Sequence, residues 1–287
     1  MDIMENIDEI ILQNQKQWDE NVDSAEQYTV PWLDLDIDSV NAFAEGKLSG
    51  FHKPSGNINI PMLSKIRKQL YGDLKGKKVL CLASGGGQQS AVFSLLGADV
   101  TVADISQGQL NGDIRAAQHY GYEIKTVLCS MMDLSVFEAE TFDVVYQPVS
   151  ICFVPDVLPV YREVYRVLKK GGIYSVSHIN PATYPADFDN EIDGWDGTGY
   201  RISSPYLGGA LRVDKDGNEN MTDGELTGEF RHLFIDMFCN LTEAGFIIKY
   251  VTEDERNFVR TEENHSENKL ERGYSVIQRY IDILSVK

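Results

Sequence analysis

The sequence has few basic residues for its number of acidic ones. It carries 26 Lys and Arg against 44 Asp and Glu, which gives a formal net charge of −18 at pH 7. Because a field of this sign repels the phosphate backbone that supplies most of the affinity for nucleic acid, the composition disfavours a DNA or RNA substrate. The tight basic run of Lys75, Lys77 and Lys78 is explained by a solvated loop before a strand. We therefore expect no nucleic-acid partner.

The sequence also lacks long apolar runs and closely spaced cysteines. No apolar stretch approaches the length of about 18–20 residues that a membrane span needs. The first residues, MDIMENIDEIILQ, carry acids where a secretory signal would carry Lys or Arg. These absences predict a cytoplasmic protein with no membrane partner. The cysteines, Cys81, Cys129, Cys152 and Cys239, form no CxxC pair, so we expect buried reduced thiols and neither a disulfide framework nor a zinc site.

The N-terminal part has a helical pattern and is followed by a connector. Apolar residues recur at helical spacing from residue 3 to residue 22, and a second helix is predicted over residues 39–48 with Ser39 as its N-cap. Residues 49–60 are rich in glycine and proline and read as a connector. The pattern predicts an N-terminal helical cap over residues 1–58.

From about residue 62 the sequence alternates between strand and helix patterns. The predicted strands are 78–82, 98–103, 123–129, 142–147, 172–178, 246–252 and 280–286, and the predicted helices are 90–96, 107–120, 157–168 and 230–244. Such alternation is typical of right-handed βαβ units and a parallel sheet covered on both faces. The last two strands lack a clear helical crossover, which favours an antiparallel pair at the sheet edge. The predicted fold class is α/β: a Rossmann-like, doubly wound, mostly parallel seven-stranded sheet with an antiparallel last strand.

The alternation lapses after strand five. Residues 181–229 are predicted to be an insertion, so that residues 59–287 form the core and residues 1–48 and 181–229 form a lid over it. Residues 214–225 (DKDGNENMTDGE) resemble a calcium loop, but Glu219 stands where the loop needs glycine. A β-hairpin turn at Asp216-Gly217 explains the segment with fewer assumptions than a calcium loop, so no metal site is predicted.

A glycine-rich turn after the first strand of the sheet is the clearest functional signal. Gly85, Gly86 and Gly87 separate a strand from a helix, which places backbone N–H groups and the positive end of the helix dipole at the carboxyl edge of the sheet. Ligands bind at this edge in open α/β sheets. Asp104 ends the next strand, where a carboxylate accepts hydrogen bonds from a ribose diol. The combination predicts a ligand that carries a ribose at this edge.

Five segments in order resemble the class I S-adenosylmethionine-dependent methyltransferases of the small-molecule branch. They are VLCLASGGGQQS, VTVADIS, CSMMDL, FDVVYQPVS and EVYRVLKKGGIYSVSH, and the resemblance covers about residues 75–180. It implies S-adenosyl-L-methionine as cofactor, with the amino-acid part near the glycine turn, the ribose on Asp104, adenine on Ile105, and the methyl group facing the end of the fourth strand. The cofactor-binding residues that it implies are Ser84, Gly85, Gly86, Gly87, Gln88, Asp104, Ile105, Met131, Met132, Asp133, Gln147, Pro148 and Val149.

The chain departs from that family's pattern at three positions. Cys81 and Ser130 stand where the family usually has acids, and Ala83 where it usually has glycine. The missing acid at Cys81 removes a common contact or water bridge to the ammonium group of the cofactor. Gln88 and Gln89 are candidates to replace it.

Other cofactor readings fit the glycine turn less well. A nicotinamide-dependent oxidoreductase would have a third glycine at residue 90, where this chain has Ser90, and a P-loop would have GK[ST] after the glycines. His178 ends the fifth strand and is a candidate catalytic residue, either as a base for the acceptor's proton or as a residue that shapes the pocket. The sequence thus predicts methyl transfer to O, N or C of a small-molecule substrate by direct displacement. The alternative is a protein that binds the same cofactor without methyl transfer.

Overall fold

The computed structural model describes residues 7–45, 47, 51–53, 56–58, 73–186, 206, 221–222, 225–226, 229–253 and 277–287. The helices in this part of the chain are α1 (Ile7–Asp23), α2 (Ile37–Ala44), α3 (Gln89–Leu95), α4 (Gln107–Tyr120), α5 (Val157–Val167) and α6 (Phe234–Glu243). The strands are β1 (Phe51–Lys53), β2 (Gly56–Ile58), β3 (Lys78–Leu82), β4 (Asp99–Asp104), β5 (Lys125–Leu128), β6 (Phe142–Gln147), β7 (Leu168–Ile179), β8 (Met221–Thr222), β9 (Glu225–Leu226), β10 (Ile247–Glu253) and β11 (Tyr280–Val286). Short 3₁₀ helices cover Val149–Phe153 and Pro181–Ala186.

The main sheet has seven strands in the order β10-β11-β7-β6-β3-β4-β5. β3 lies in the middle and pairs in parallel with β4 and β6, while β5 and β7 extend the parallel part outward. β11 runs antiparallel between β7 and the edge strand β10. The predicted fold class is therefore confirmed. The strands that follow β3 in sequence lie first on one side of it (β4 and β5) and then on the other side (β6 and β7). The strand order therefore reverses at β3, and the carboxyl end of β3 is the switch point at which open α/β sheets bind ligands.

Both faces of the sheet are covered, as parallel strands require. Val79, Cys81 and Phe93 belong to the core layer under α3 and α4. Leu80, Leu82 and Tyr161 belong to the layer under α5 and α6. All of β3 except Lys78 is buried, and the four buried residues are all apolar rather than alternating with polar ones. The polar side chains that carry the chemistry are consequently confined to the strand ends.

Capping residues explain the precise bounds of α4. Ser106 stands before the helix in extended conformation, and its Oγ accepts from the backbone N–H of Gln109 at 3.1 Å. Gly121 ends the helix in the left-handed conformation with φ 75°, where glycine carries no steric penalty. The bounds predicted for this helix from the sequence match those observed.

Several predicted details differ from the structure. α2 begins at Ile37 rather than residue 39, because Asp36 rather than Ser39 is its N-cap and accepts from Asp38 N at 3.3 Å. α6 begins at Phe234, four residues later than predicted. The connector contains the antiparallel pair of β1 and β2. Cys239 is exposed and Cys129 half-buried, so the expectation of buried thiols holds fully only for Cys81 and Cys152.

Parts of the predicted insertion lie outside the described residues. They include the turn at Asp216-Gly217 and most of the calcium-like segment. The antiparallel pair described nearby joins Met221–Thr222 to Glu225–Leu226. Within the described part of the chain, no helix is both long and apolar enough to cross a membrane.

Candidate functional site: the carboxyl edge of β3 and β4

The turn after β3 has a backbone path that requires glycine. Gly86 and Gly87 adopt φ angles of 95° and 74°, in the region that side chains disfavour. A Cβ on Gly85 would lie 2.6 Å from Gln109 Cβ and 3.0 Å from Asp104 Oδ2. A Cβ on Gly86 would lie 2.8 Å from Gln109 Oε1. The turn is therefore packed tightly against Asp104 and α4.

Asp104 is bound directly to this turn. Its Oδ2 accepts from the backbone N–H of Gly85 and its Oδ1 from that of Ser106, both at 3.0 Å. Burial raises the pKa of the Asp104 carboxyl to about 6, against the opposing effect of these hydrogen bonds. At neutral pH the group is mainly ionised, and a carboxylate has about four acceptor positions. Acceptor capacity remains for a hydroxyl donor such as a ribose diol, beyond the backbone hydrogen bonds from Gly85, Ser106 and Ile105.

Two unpaired polar atoms lie beside the turn. Ser84 Oγ and Gln109 Oε1 are buried and have no hydrogen-bond partner among the described residues. A buried polar atom without a partner costs about 1–3 kcal/mol, so a ligand that supplies donors gains affinity here. The amino-acid and ribose parts of S-adenosylmethionine have such donors, and the residues present therefore fit this cofactor. Sequence reasoning missed Gln109, although its burial opposite the glycine turn follows from its place in the first turn of α4 after Asp104.

Gln88 holds the N-terminal segment in place. Its Nε2 donates to the backbone oxygens of Gln27 and Val30, at 2.8 and 2.9 Å. The backbone N–H of Trp32 donates to Gly87 O at 3.1 Å. The side-chain donors of Gln88 are thus directed at the N-terminal segment, which covers the glycine turn.

The predicted adenine-side residues are only partly brought together. Ile105 and Met132 are half-buried, and Met131 is buried with its Sδ accepting from Gln147 Nε2 at 3.2 Å. Asp133 is exposed, and its carboxylate accepts from Ser135 N at 3.0 Å. The backbone N–H of Cys129 donates to Asp104 O, which joins the end of β5 to the end of β4. The backbone thus brings the loop after β5 next to Asp104.

The end of β6 lies at the same edge of the sheet. Gln147 is fully buried, and its Oε1 accepts from the Tyr174 hydroxyl at 2.5 Å. Pro148 and Val149 follow it, half-buried, at the start of a 3₁₀ helix. Because both the oxygen and the amide nitrogen of Gln147 have partners, its side chain is held rigidly beneath this edge.

His178 is buried on the α5 side of the sheet. Its Nε2 lies 2.8 Å from the Tyr161 hydroxyl, and its Nδ1 has no partner among the described residues. Burial raises the pKa of Tyr161, so its hydroxyl keeps a proton to donate to Nε2. If Tyr161 donates in this hydrogen bond, the proton of the neutral imidazole is on Nδ1, so the direction depends on the tautomer of the ring. Burial and the nearby His232 hold the pKa of His178 well below its usual range, so the ring stays uncharged at neutral pH.

Comparisons with known proteins decide the family. A family model described as a methyltransferase domain matches residues 80–176. The chain is 36% identical over 257 residues to the uncharacterized methyltransferase YbaJ of Bacillus subtilis, covering 90% of this chain and 95% of that protein. The chain belongs to the S-adenosylmethionine-dependent methyltransferase family. This methyltransferase is also 32% identical, over 134 residues, to a ubiquinone biosynthesis O-methyltransferase of Pseudomonas putida, which covers 46% of this chain and 57% of that protein.

Solved structures show the same fold. A methyltransferase from Mesorhizobium loti superposes with a TM-score of 0.56 at 18% identity, over 75% of this chain and 93% of that chain. One from Listeria monocytogenes gives a TM-score of 0.51 at 17% identity, over 75% of this chain and 91% of that chain. The methyltransferase fold is therefore shown independently of the sequence motifs.

Two of the departures from the family pattern have visible structural consequences in this methyltransferase. Cys81 is fully buried, and burial together with the charge of Asp113 raises the pKa of its thiol far above the usual range, so it stays neutral. Ala83 adopts a left-handed φ of 44°, in the position where the family usually has glycine. Both residues immediately precede the glycine turn.

Proposed function

We propose that this methyltransferase moves a methyl group from S-adenosyl-L-methionine to O, N or C of a small molecule by direct displacement. The observation that carries the proposal is the buried Asp104 carboxylate, which accepts a hydrogen bond from Gly85 and lies beside the glycine turn. A carboxylate at the end of the second parallel strand is where a ribose diol is bound in folds of this type.

The cofactor-binding roles follow the order of the elements along the edge. Ser84, the three glycines of the turn and Gln109 would hold the amino-acid part, and Asp104 the ribose. Ile105, Met131, Met132 and Asp133 would surround adenine, and Gln147, Pro148 and Val149 would lie beside the methyl group. Gln88 would act indirectly, by fixing the N-terminal segment over the glycine turn.

Alignment is the main task of the protein in such a reaction. When bound, S-adenosylmethionine supplies a methyl group on a positively charged sulfur. The chain's part is to hold the acceptor in line with that group and to keep water away, which lowers the barrier by positioning alone. The Tyr174–Gln147 hydrogen bond fixes the Gln147 side chain beneath the site. The N-terminal segment covers the glycine turn.

His178 is proposed as an acceptor-side residue. With the Tyr161 hydroxyl donating to Nε2, His178 would shape the pocket through Nδ1–H rather than abstract a proton, the first being one of the two roles predicted from the sequence. An acceptor oxygen would supply the partner that Nδ1 lacks among the described residues.

The N-terminal part is proposed as part of a lid. α1 reaches both sides of the edge: Asp19 bonds to Ser106 and Gly108 beyond β4, while Asn14 Nδ2 donates to Phe153 O beyond β6. A cap that joins both sides suits a small enclosed acceptor rather than a macromolecule. The net charge of −18 adds that a polyanionic acceptor would be repelled.

Incubation with methyl-labelled S-adenosylmethionine and a fractionated metabolite extract tests methyl transfer. We expect S-adenosylhomocysteine and one or a few labelled small molecules. Tight binding of the cofactor without S-adenosylhomocysteine formation in any fraction would favour the binding protein without methyl transfer. The variant Asp104→Ala serves as a negative control, because label incorporated by a contaminant would not depend on this residue.

A further inference from the structure

Asp113 lies beneath the glycine turn and has no role in the reaction described so far. It is fully buried on α4, and its carboxylate points at the backbone of the turn. Oδ2 accepts from Gly86 N and Oδ1 from Gly87 N, both at 3.1 Å, and the Ser90 hydroxyl also donates to Oδ1. One side chain thus binds two consecutive amides of the turn and the start of the helix that follows it.

The backbone of α4 is shaped to allow this contact. A Cβ on Gly112 would lie 2.9 Å from the backbone atoms of Gly86. Glycine inside a helix costs about 1 kcal/mol relative to alanine. The close contact explains why position 112 is glycine despite this cost. Without a side chain there, α4 approaches the turn closely enough for the neighbouring Asp113 to reach both amides.

The carboxyl group under the turn comes from α4 instead of β3. Cys81 is at the position on β3 where the related sequences usually have an acid. It is a neutral thiol, because burial and the nearby Asp113 raise its pKa far above the usual range. Two carboxylates in one buried space would repel each other strongly. The neutral Cys81 therefore adds no further repulsion to Asp113, whose pKa burial and the nearby Asp104 already raise.

We propose that Asp113 is a positioning residue of the cofactor site, which holds the Gly86 and Gly87 amides and so fixes the turn against which the cofactor's amino-acid part binds. This inference rests on the proposed cofactor site. Asp113 itself does not touch the cofactor, because its carboxylate oxygens are directed at the turn from the α4 side. Its effect is transmitted through the backbone of the turn.

The variant Asp113→Asn tests the proposal, since it keeps the shape but replaces one acceptor oxygen with an amide donor. One of the two glycine amides then faces an N–H group. We expect S-adenosylhomocysteine to bind about tenfold more weakly by calorimetry, because one buried amide of the turn then lacks its acceptor. Asp99→Asn is the matched control, because Asp99 is exposed at the opposite end of β4.

A second variant and a second measurement separate positioning from general destabilisation. Gly112→Ala keeps the carboxylate but pushes the turn away, and it should weaken binding in the same direction. In Asp113→Asn, amide hydrogen exchange at Gly87 should accelerate relative to Gly86, whose N–H also donates to Gln109 O, and relative to Ala83, whose N–H donates to Ala103 O on β4. A merely structural role would accelerate all of these amides together.

The outcomes distinguish this inference from the proposed function. Binding of S-adenosylhomocysteine by Asp113→Asn and Gly112→Ala within about twofold of wild type would overturn the role of Asp113 and leave the cofactor site standing. Uniform acceleration of amide exchange would also overturn it. Failure of the wild-type protein to bind S-adenosylhomocysteine would overturn both.

Discussion

At the scale of single residues, buried carboxylates control the glycine turn. Burial raises the pKa of Asp104 to about 6 and that of Asp113 to about 8, because the hydrogen bonds to each group only partly offset the loss of water. The ordinary value of an Asp carboxyl is about 3.9. Both groups therefore bind protons more tightly in the folded chain than in the unfolded one.

The pH dependence of stability should reveal Asp113. Between about pH 4 and pH 8 the folded chain holds a proton on Asp113 that the unfolded chain has lost, so the free energy of unfolding falls as pH rises through this window. The slope from one such group is at most about 1.4 kcal/mol per pH unit. Urea unfolding of Asp113→Asn and wild type between pH 5 and pH 8 should show the variant gaining relative stability with pH. A constant difference would contradict the raised pKa.

Ala83 predicts a gain in stability on substitution. An L-residue in the left-handed region costs about 1–2 kcal/mol, while Gly adds about 0.4–1 kcal/mol of unfolded-state entropy. Ala83→Gly should therefore raise the free energy of unfolding by about 0.5–1 kcal/mol with unchanged cofactor affinity. Ala25→Gly is the matched control, since Ala25 also has a left-handed φ, 57°, but is exposed. Destabilisation by Ala83→Gly would show that the methyl contacts of Ala83 outweigh its strain.

The tautomer of His178 can be measured directly. With Tyr161 donating to Nε2, the ring proton belongs on Nδ1, and burial should keep the ring neutral throughout the ordinary titration range of histidine. Nitrogen NMR of labelled histidine, with His178→Gln used to assign the signal, should show an Nδ1–H tautomer that does not titrate. A proton on Nε2, or titration near pH 6.5, would instead support the base role.

At the scale of elements, periodicity and punctuation predicted most of the fold. The strands of the parallel sheet and α4 could be predicted because each combines an apolar run with a glycine or a cap at its end. The start of α2 was missed because Asp36 and Ser39 are both good N-caps, and only tertiary packing, which buries Ser39, decides between them. The pair β1–β2 was missed because glycine and proline around it indicated a connector.

The candidate site was predictable only where it is local in sequence. Gly85 and Asp104 follow from strand ends, since the carboxyl ends of neighbouring parallel strands meet. Asp113, Gln109 and Asp19 reach the site across helices, and no local motif marks them. The signal that the sequence offered was the spacing of Gln109 and Asp113, which are four residues apart and therefore on one face of α4.

The hydrogen bonds between Asp19 of α1 and the start of α4 predict that Asp19 stabilises the N-terminal helical cap on the core. Asp19 Oδ1 accepts from Ser106 Oγ at 2.6 Å and from Gly108 N at 3.1 Å, at the positive end of the α4 dipole. Asp19→Ala should lower the free energy of unfolding by about 1–2 kcal/mol and speed limited proteolysis within α1. Glu20→Ala is the control, because Glu20 pairs only with the exposed Lys16 among the side chains described. Equal cleavage of both variants would contradict the docking role.

At the scale of the whole molecule, the N-terminal segment packs against the core at the carboxyl ends of β3, β4 and β6. Leu35, Val40 and Phe43 belong to the same core layer as Val79 of β3. The segment is thus packed into the molecule as well as placed over the glycine turn. The acidic surface and this covered edge together suit a small acceptor of low negative charge.

Calorimetric titration with S-adenosylhomocysteine and with NAD tests the central claim, that the glycine turn and Asp104 bind the adenosyl cofactor. Wild type should bind S-adenosylhomocysteine and not NAD. Asp104→Ala should weaken that binding by about ten to several hundred-fold, since each hydrogen bond from the ribose diol to the carboxylate is worth about 1.5–3 kcal/mol. Binding of NAD alone, or an unchanged dissociation constant in folded Asp104→Ala, would contradict the account.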